Sequence, residues 1–328
     1  MAFLKKTLAV LLLLSLLLLS SCASAKPIDS SEDELRVVGK VGEYEVLYEE
    51  LRFLVLNYKK TMTETYGEDF FDDPKHIEEA KEYIFDTVKY NYAILQMCRD
   101  VRIERDEPII LDAVQKKIEE TVNELGSRRK YKKYLEENYL TDHLFRFNLS
   151  IELLQNELMY VYTKDLRIIE TDDSAIYDII KDEFIRTQHI YISKSNGKSS
   201  AENKAAIETA YSELIGGADF MSVAAKYGED PELSNEGFYI LKGYMNEKYE
   251  KAAFSLEIDK FSEIIEDEGG FYIIKRLEQD SFYVIKNFET LAERYQNYTF
   301  IEMINDTHEA LEFIPNEYLS SIDMFAIE

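Results

Sequence analysis

Cysteine, proline, glycine and positive charge are all scarce in this chain, and each shortage closes off a class of function. Two cysteines, Cys22 and Cys98, among 328 residues are too few for a disulfide framework. Together with four scattered histidines (His76, His143, His189, His308) they make no Cys/His cluster at zinc-ligand spacing. Five prolines and 12 glycines fall well below the usual shares of about 5% and 7%. With so few helix breakers and 46% hydrophobic residues, the chain reads as folded and helix-rich rather than disordered. Basic residues number 38 against 64 acidic, a formal net charge of −26. So acidic a surface repels phosphate backbones, which bind clustered Lys and Arg, and nucleic acid is excluded as the main partner. There is no HExxH, P-loop or GxGxxG. Acidic clusters such as Glu68-Asp69-Phe70-Phe71-Asp72-Asp73 lack the alternating Asp/Asn and the glycine of a calcium loop, and read as solvated surface. No metal or cofactor is expected. The length suits about two domains of roughly 150 residues each.

The first residues carry an address. Lys5 and Lys6 precede an apolar run from Leu8 to Leu19 that only Ser15 interrupts. Twelve helical residues span about 18 Å, short of the ~30 Å hydrocarbon core, so the run reads as a secretory leader and not a membrane span. It ends in Leu19-Ser20-Ser21-Cys22, which resembles the bacterial lipobox. That resemblance implies a lipid-modified Cys22 as the mature N-terminus and a lipid anchor on the extracytoplasmic face of the membrane. No later segment is apolar enough to span. Without Lys5 and Lys6 the chain keeps 36 basic against 64 acidic side chains, or −28, so charge does not hold it to anionic lipid and the acyl chains must. Ala23 to Asp33 is small, polar and charged, a tether.

The body reads as helices, a small α/β segment, then helices. Arg36 to Val46 predicts a β-hairpin turning near Gly42-Glu43. Helices are expected from Leu47 to Tyr58, from Pro74 to about Asp100 with Asp73 as cap, from Glu107 to Leu125 ending at Gly126, from Tyr131 to Tyr139, and onward from a Thr141 cap. The apolar stripes on these helices are core or, in part, an exposed groove for unfolded chains; with 24 Tyr and 18 Phe the sequence alone does not separate the two. Cys98 reads as a small buried apolar residue. From Arg186 the texture changes. A strand at Gln188–Ser193 precedes helices at Ser200–Leu214, Phe220–Tyr227 and Tyr249–Phe254, and strands follow at Ser262–Ile265 and Gly270–Leu277. This β-α-α-α-β-β order makes a compact α+β domain. A helix from about Asn287 to Leu311 and a polar tail complete the chain.

Five blocks in this segment resemble a parvulin-type peptidyl-prolyl isomerase domain: Arg186-Thr187-Gln188-His189-Ile190; Gly217-Ala218-Asp219-Phe220 with Ala224-Ala225-Lys226-Tyr227; Gly243-Tyr244-Met245; Tyr249-Glu250-Lys251-Ala252-Ala253-Phe254; and Gly270-Phe271-Tyr272-Ile273-Ile274-Lys275. Val37 to Leu56 and Lys132 to Thr141 resemble the helical chaperone region of SurA- and PrsA-like foldases. The resemblance implies an α+β protein in which a helical chaperone domain, built from N- and C-terminal segments, carries an inserted parvulin domain. Its expected parts are a leader over 1–21, a tether over 22–34, a chaperone domain over 35–183, a parvulin domain over 184–281 and a returning helical segment over 282–328.

The family's chemistry makes no covalent bond. A cup for the proline ring maps to Met245, Tyr249 and Tyr239, and a polar floor to His189 and Asp230, with Tyr272 where the family has a second histidine. Asp267 stands in the position of a threonine, the glycine-rich segment shrinks to Asn235-Glu236-Gly237, and the loop from Asp230 is about three residues shorter. Taken alone, a histidine in a strand is as readily a structural residue, Asp230-Pro231 a turn and Tyr249 core. The implied partners are unfolded or partly folded secreted polypeptides with X–Pro bonds. The rival expectations are a holdase of the same architecture without turnover, and a lipid-anchored solute-binding protein, which the lack of repeated strand–helix alternation disfavours.

Overall fold

The structure, a computed structural model, describes residues 34–231 and 236–327. The expected leader and lipidated Cys22 lie outside the described residues, as does Asn235. The chain divides into two compact units: one takes the chain up to Arg167 and resumes at Phe300, and the other runs Ile168–Thr299.

In the first unit β1 (Val37–Val41) and β2 (Tyr44–Leu47) form the expected hairpin, reversing at Gly42, whose φ of +58 suits glycine. Helix α1 (Tyr48–Tyr66) runs two turns past the expected end at Tyr58, because Met62 continues the buried stripe of Leu51 and Val55. Helix α2 (Pro74–Asp100) starts where Asp73 accepts the Lys75 N–H at 2.9 Å. It buries Ala80, Ile84, Val88 and Tyr92 at a spacing of four. Helix α3 (Pro108–Leu125) stops at Gly126 in the left-handed region. Helix α4 (Arg128–Glu137) begins three residues before the expected Tyr131, with the Ser127 hydroxyl accepting the Lys130 N–H. Helix α5 (Asp142–Tyr160) is capped by Thr141, whose hydroxyl accepts the Leu144 N–H at 2.9 Å. Cys98 is buried, and burial pushes its thiol up to about 12, so it is an inert packing residue.

The second unit opens with α6 (Asp173–Glu183), a helix absent from the sequence reading. Asp172 caps it, and Ile176 and Ile180 anchor it. Then come β3 (Ile185–Ser193), α7 (Ser200–Ile215), α8 (Phe220–Tyr227), β4 (Phe238–Ile240), α9 (Glu247–Ser255), β5 (Ile265–Glu266), β6 (Gly270–Leu277), α10 (Ser281–Lys286) and α11 (Phe288–Ala310). Strand β4 is an addition to the expected order; three residues are too few to show an alternation. The sheet has the order β4-β3-β6-β5, with antiparallel pairs throughout.

Its two faces have different fates. Ile190, Ile192, Phe271 and Ile273 point into a core under α7 and α8. Ile185, Ile240 and Ile274 point the other way, under Tyr249 and Ala253 of α9. A third cluster joins Ile176, Ile180 and Phe184 to Tyr239, Leu241, Val284, Leu291 and Ala292. This cluster is why the compact unit reaches beyond 184–281 on both sides: α6, α10 and the first turns of α11 share a core with residues following β4.

The chain then returns to the first unit. Strand β7 (Phe313–Pro315), also unforeseen in the polar tail, pairs antiparallel with β1, Lys40 opposite Ile314, giving the order β2-β1-β7. Gly39 permits this contact, since a Cβ there would fall 2.5 Å from the Phe313 ring. A short helix α12 (Glu317–Ser321) follows. The molecule is α+β, with helices dominant and two small antiparallel sheets.

Candidate active site

Strand alternation decides which side chains meet. Along β3, Thr187, His189 and Tyr191 share one face, and their register partners Phe238 on β4, and Ile274 and Tyr272 on β6, lie on that face too. Helix α9 covers it and sends Tyr249, with no exposed surface, against the imidazole. His189 is thus enclosed by three aromatic rings. Phe238 stacks on it at 4.9 Å with an interplanar angle of 6°, while Tyr249 and Tyr272 meet it edge-on at 5.7 and 5.9 Å.

Its two nitrogens have separate partners. Nε2 lies 2.8 Å from Asp230 Oδ2, and Nδ1 lies 3.1 Å from the Tyr249 hydroxyl, which is 3.2 Å from Thr187 Oγ1. Burial lowers the His189 pKa from its ordinary 6.5, and the attraction of Asp230 offsets this only in part. The contact to Asp230 is therefore a hydrogen bond from a neutral imidazole and not an ion pair near neutral pH. Nε2–H donates to the carboxylate, which leaves Nδ1 to accept from the Tyr249 O–H, and Thr187 O–H donates to the Tyr249 oxygen.

Asp230 reaches the histidine because its neighbour fastens the loop after α8. The Glu229 N–H donates to the Tyr191 carbonyl at 2.8 Å, and the Glu229 carboxylate accepts the Ser193 N–H at 2.9 Å. Tyr272 is half-buried and stacks on Tyr191 at 4.7 Å; burial first, then Asp267, pushes its hydroxyl pKa up, so it stays protonated and can donate. Asp267 has a structural task. One oxygen accepts the N–H groups of Gly269 and Gly270 at 2.8 Å, holding the β5–β6 turn, and the other accepts from Asn246 Nδ2 at 2.8 Å.

The structure thus gathers His189, Asp230, Tyr272 and Tyr249, and half-buried Met245 packs on the cluster that Tyr249 forms with Ile185, Ile240, Ala253 and Ile274. Tyr249 is fully buried, and its hydroxyl joins the His189 hydrogen bonds. Tyr239 does not join them. It is in register with Arg186, so it projects from the opposite face, where it stacks on Tyr283 at 4.8 Å and accepts the Asp280 N–H at 2.7 Å. Phe238, one residue earlier, is the ring of β4 that faces His189. Thr187 and Phe238 went unnoticed. The signal for Thr187 was its place two residues before His189; for Phe238 it required the register of β4. Among the described residues no group of three or more His, Cys, Asp or Glu is poised to hold a metal ion.

The cluster is thus a buried, hydrogen-bonded imidazole among three aromatic rings on a four-stranded antiparallel sheet. Residues 186–278 match the family described as rotamase, PPIC-type PPIASE domain. The second unit therefore carries a parvulin-type peptidyl-prolyl isomerase domain. Over a longer stretch the chain is similar to foldase proteins PrsA. It is 24% identical over 265 residues to that of Caldanaerobacter subterraneus subsp. tengcongensis, covering 78% of this chain and 77% of the relative. It is 27% identical over 153 residues to that of Bacillus subtilis, covering 45% of this chain and 47% of the relative. A crystal structure of peptidylprolyl isomerase (PrsA) from Bacillus anthracis aligns over 67% of this chain and 94% of its own, with 19% identity and a TM-score of 0.37. Over its length the chain is thus similar to PrsA foldases, and residues 186–278 match the PPIC-type domain.

Proposed function

We propose that this protein is an extracytoplasmic folding factor, anchored by lipid at Cys22, that catalyses cis–trans isomerisation of X–Pro bonds in unfolded or partly folded secreted polypeptides and shields them through its helical unit. The observation that carries the isomerase reading is the chain Asp230–His189–Tyr249–Thr187 lying under Met245, Phe238 and Tyr272. An X–Pro amide prefers trans by only about 0.5–1 kcal/mol but crosses a barrier of about 18–20 kcal/mol. The twisted amide at the top of that barrier has lost conjugation and carries less charge separation than the planar one. An apolar wall that grips the ring and excludes water therefore favours the twisted form, and a polar floor orients the flanking carbonyls. A neutral His189, held by an anionic partner, is suited to that orienting role and not to attack.

The experiment is the cis-to-trans rate of Xaa-Pro peptides, with Xaa as Glu, Ala, Leu or Lys, on the full chain, with Met245→Ala as control. Weak acceleration is expected for Ala, Leu and Lys, with Glu slowest because Asp230 and Asp267 make the site anionic. Met245→Ala should lower the rate at least about tenfold, since truncating a methionine that grips the ring removes roughly 1.5–3 kcal/mol of apolar contact. A preference for Glu would overturn the electrostatic account. The second reading, a holdase without turnover, is favoured by Tyr272 in place of a second imidazole donor. It prevails if no peptide is accelerated while aggregation of an unfolded client is still suppressed.

A further inference from the structure

The Tyr249 side chain is buried completely, yet its hydroxyl is far from idle. It stands between two buried polar groups, 3.2 Å from Thr187 Oγ1 and 3.1 Å from His189 Nδ1. The backbone around it is fixed twice over. Asn246 Oδ1 accepts the Tyr249 N–H at 2.8 Å at the start of α9, and Asn246 Nδ2 donates to Asp267 on the β5–β6 turn. Thr187 in turn is held in the middle of β3, paired with both Phe238 and Arg276. The position of the hydroxyl is therefore set from β3, α9 and the β5–β6 turn together.

From this we infer that Tyr249, held by Thr187, is a positioning residue: its O–H fixes the ring plane of His189, so that Nε2–H stays aimed at Asp230 and the imidazole lies flat beneath Phe238. The inference rests on the isomerase reading for its consequence, but not for its geometry. The Asp230 carboxylate only accepts and so already keeps the proton on Nε2, but an imidazole held at Nε2 alone can still pivot about that one bond. A second hydrogen bond at Nδ1 removes the pivot and fixes the ring plane. An aromatic ring without a hydroxyl would fill the same space and leave the pivot free.

The test uses the full chain with 15N-labelled histidine, whose four residues keep the His189 signals resolvable, alongside kcat and KM for an Ala-Pro peptide. Tyr249→Phe keeps the ring and removes the donor. Thr187→Val removes the group that orients the donor, and Thr187→Ser restores it. Tyr249→Phe and Thr187→Val should each lower kcat about five- to tenfold at unchanged KM, the size one neutral hydrogen bond supports. Both should move the His189 Nδ1 resonance, Thr187→Ser should leave rate and resonance near those of the parent, and the double variant should be no worse than Tyr249→Phe alone. A folded Tyr249→Phe protein with an unmoved Nδ1 resonance, or with the parent kcat, overturns the inference and leaves Tyr249 as packing. Should Tyr249→Phe fail to fold, Thr187→Val decides by the same readouts. A parent chain with no isomerase activity would sink the isomerase reading instead, and the resonance alone would then decide the role of Tyr249.

Discussion

The surroundings of His189 oppose its charge. Burial lowers its pKa, and the pull of Asp230 restores only part of the loss. The free protein should therefore keep its isomerase kcat/KM unchanged from about pH 8 down through 6.5, the ordinary histidine midpoint, and lose it only at lower pH, where the imidazole takes a proton. A fall with a midpoint at or above 6.5, matched by the His189 resonance, would show that Asp230 outweighs burial. Part of this cluster was legible in the sequence: His189, Asp230, Tyr272 and Met245 all stand in or next to strand and helix phrases that the chain spells out. Tyr239 was not, because facing is a property of register. A residue paired with Arg186 cannot share a face with His189, and no local pattern in Phe238-Tyr239-Ile240 says which of the two rings turns inward.

At the scale of elements, the first turn of α1 places two carboxylates where helices favour negative charge but burial does not. Glu50 accepts the Leu47 N–H at 2.9 Å and the Tyr92 hydroxyl at 2.8 Å, and Glu49 is held by Thr141 and His143. Burial first of all, with Glu49 adding to it, raises the Glu50 pKa to about 7, against the lowering effects of Leu47, Tyr92 and His143. A folded-state pKa above the unfolded one means that the native chain holds a proton the unfolded chain has released. The stabilisation is complete below about pH 4.5 and is lost as pH rises through about 7. Glu50→Gln has no such proton. Relative to that variant, the parent should lose on the order of 2–3 kcal/mol of stability between about pH 5 and about pH 8, read from denaturant unfolding at each pH. A gap that does not change with pH would place the Glu50 titration elsewhere. The helices themselves were legible through their caps, Asp73, Thr141 and Gly126, whereas β4, β7 and α6 were not. The two strands are three residues each and owe their existence to partners about 50 and 275 residues away.

Over the whole molecule, the proposed anchor is a matter of the leader alone. No helix among the described residues is long and apolar enough to cross a membrane, and the body is strongly acidic. Cys22→Ala should release the protein from the membrane fraction, and its retention through high salt and carbonate washes would refute the lipid anchor. What the chain's own order of residues determined is everything that local chemistry can carry: a helix-rich α+β body, its caps and hairpin, and a parvulin-like segment over 186–278. What only the tertiary structure decided is which surfaces those residues share. It set the return of Phe313–Pro315 onto β1, the breadth of the second unit through the Tyr239 cluster, the facing of Phe238 and not Tyr239 towards His189, and the complete burial of Tyr249. The reason is physical. A cap or a stripe is made by neighbours within a turn or two, whereas register and burial are made by partners that the chain brings together only when it closes.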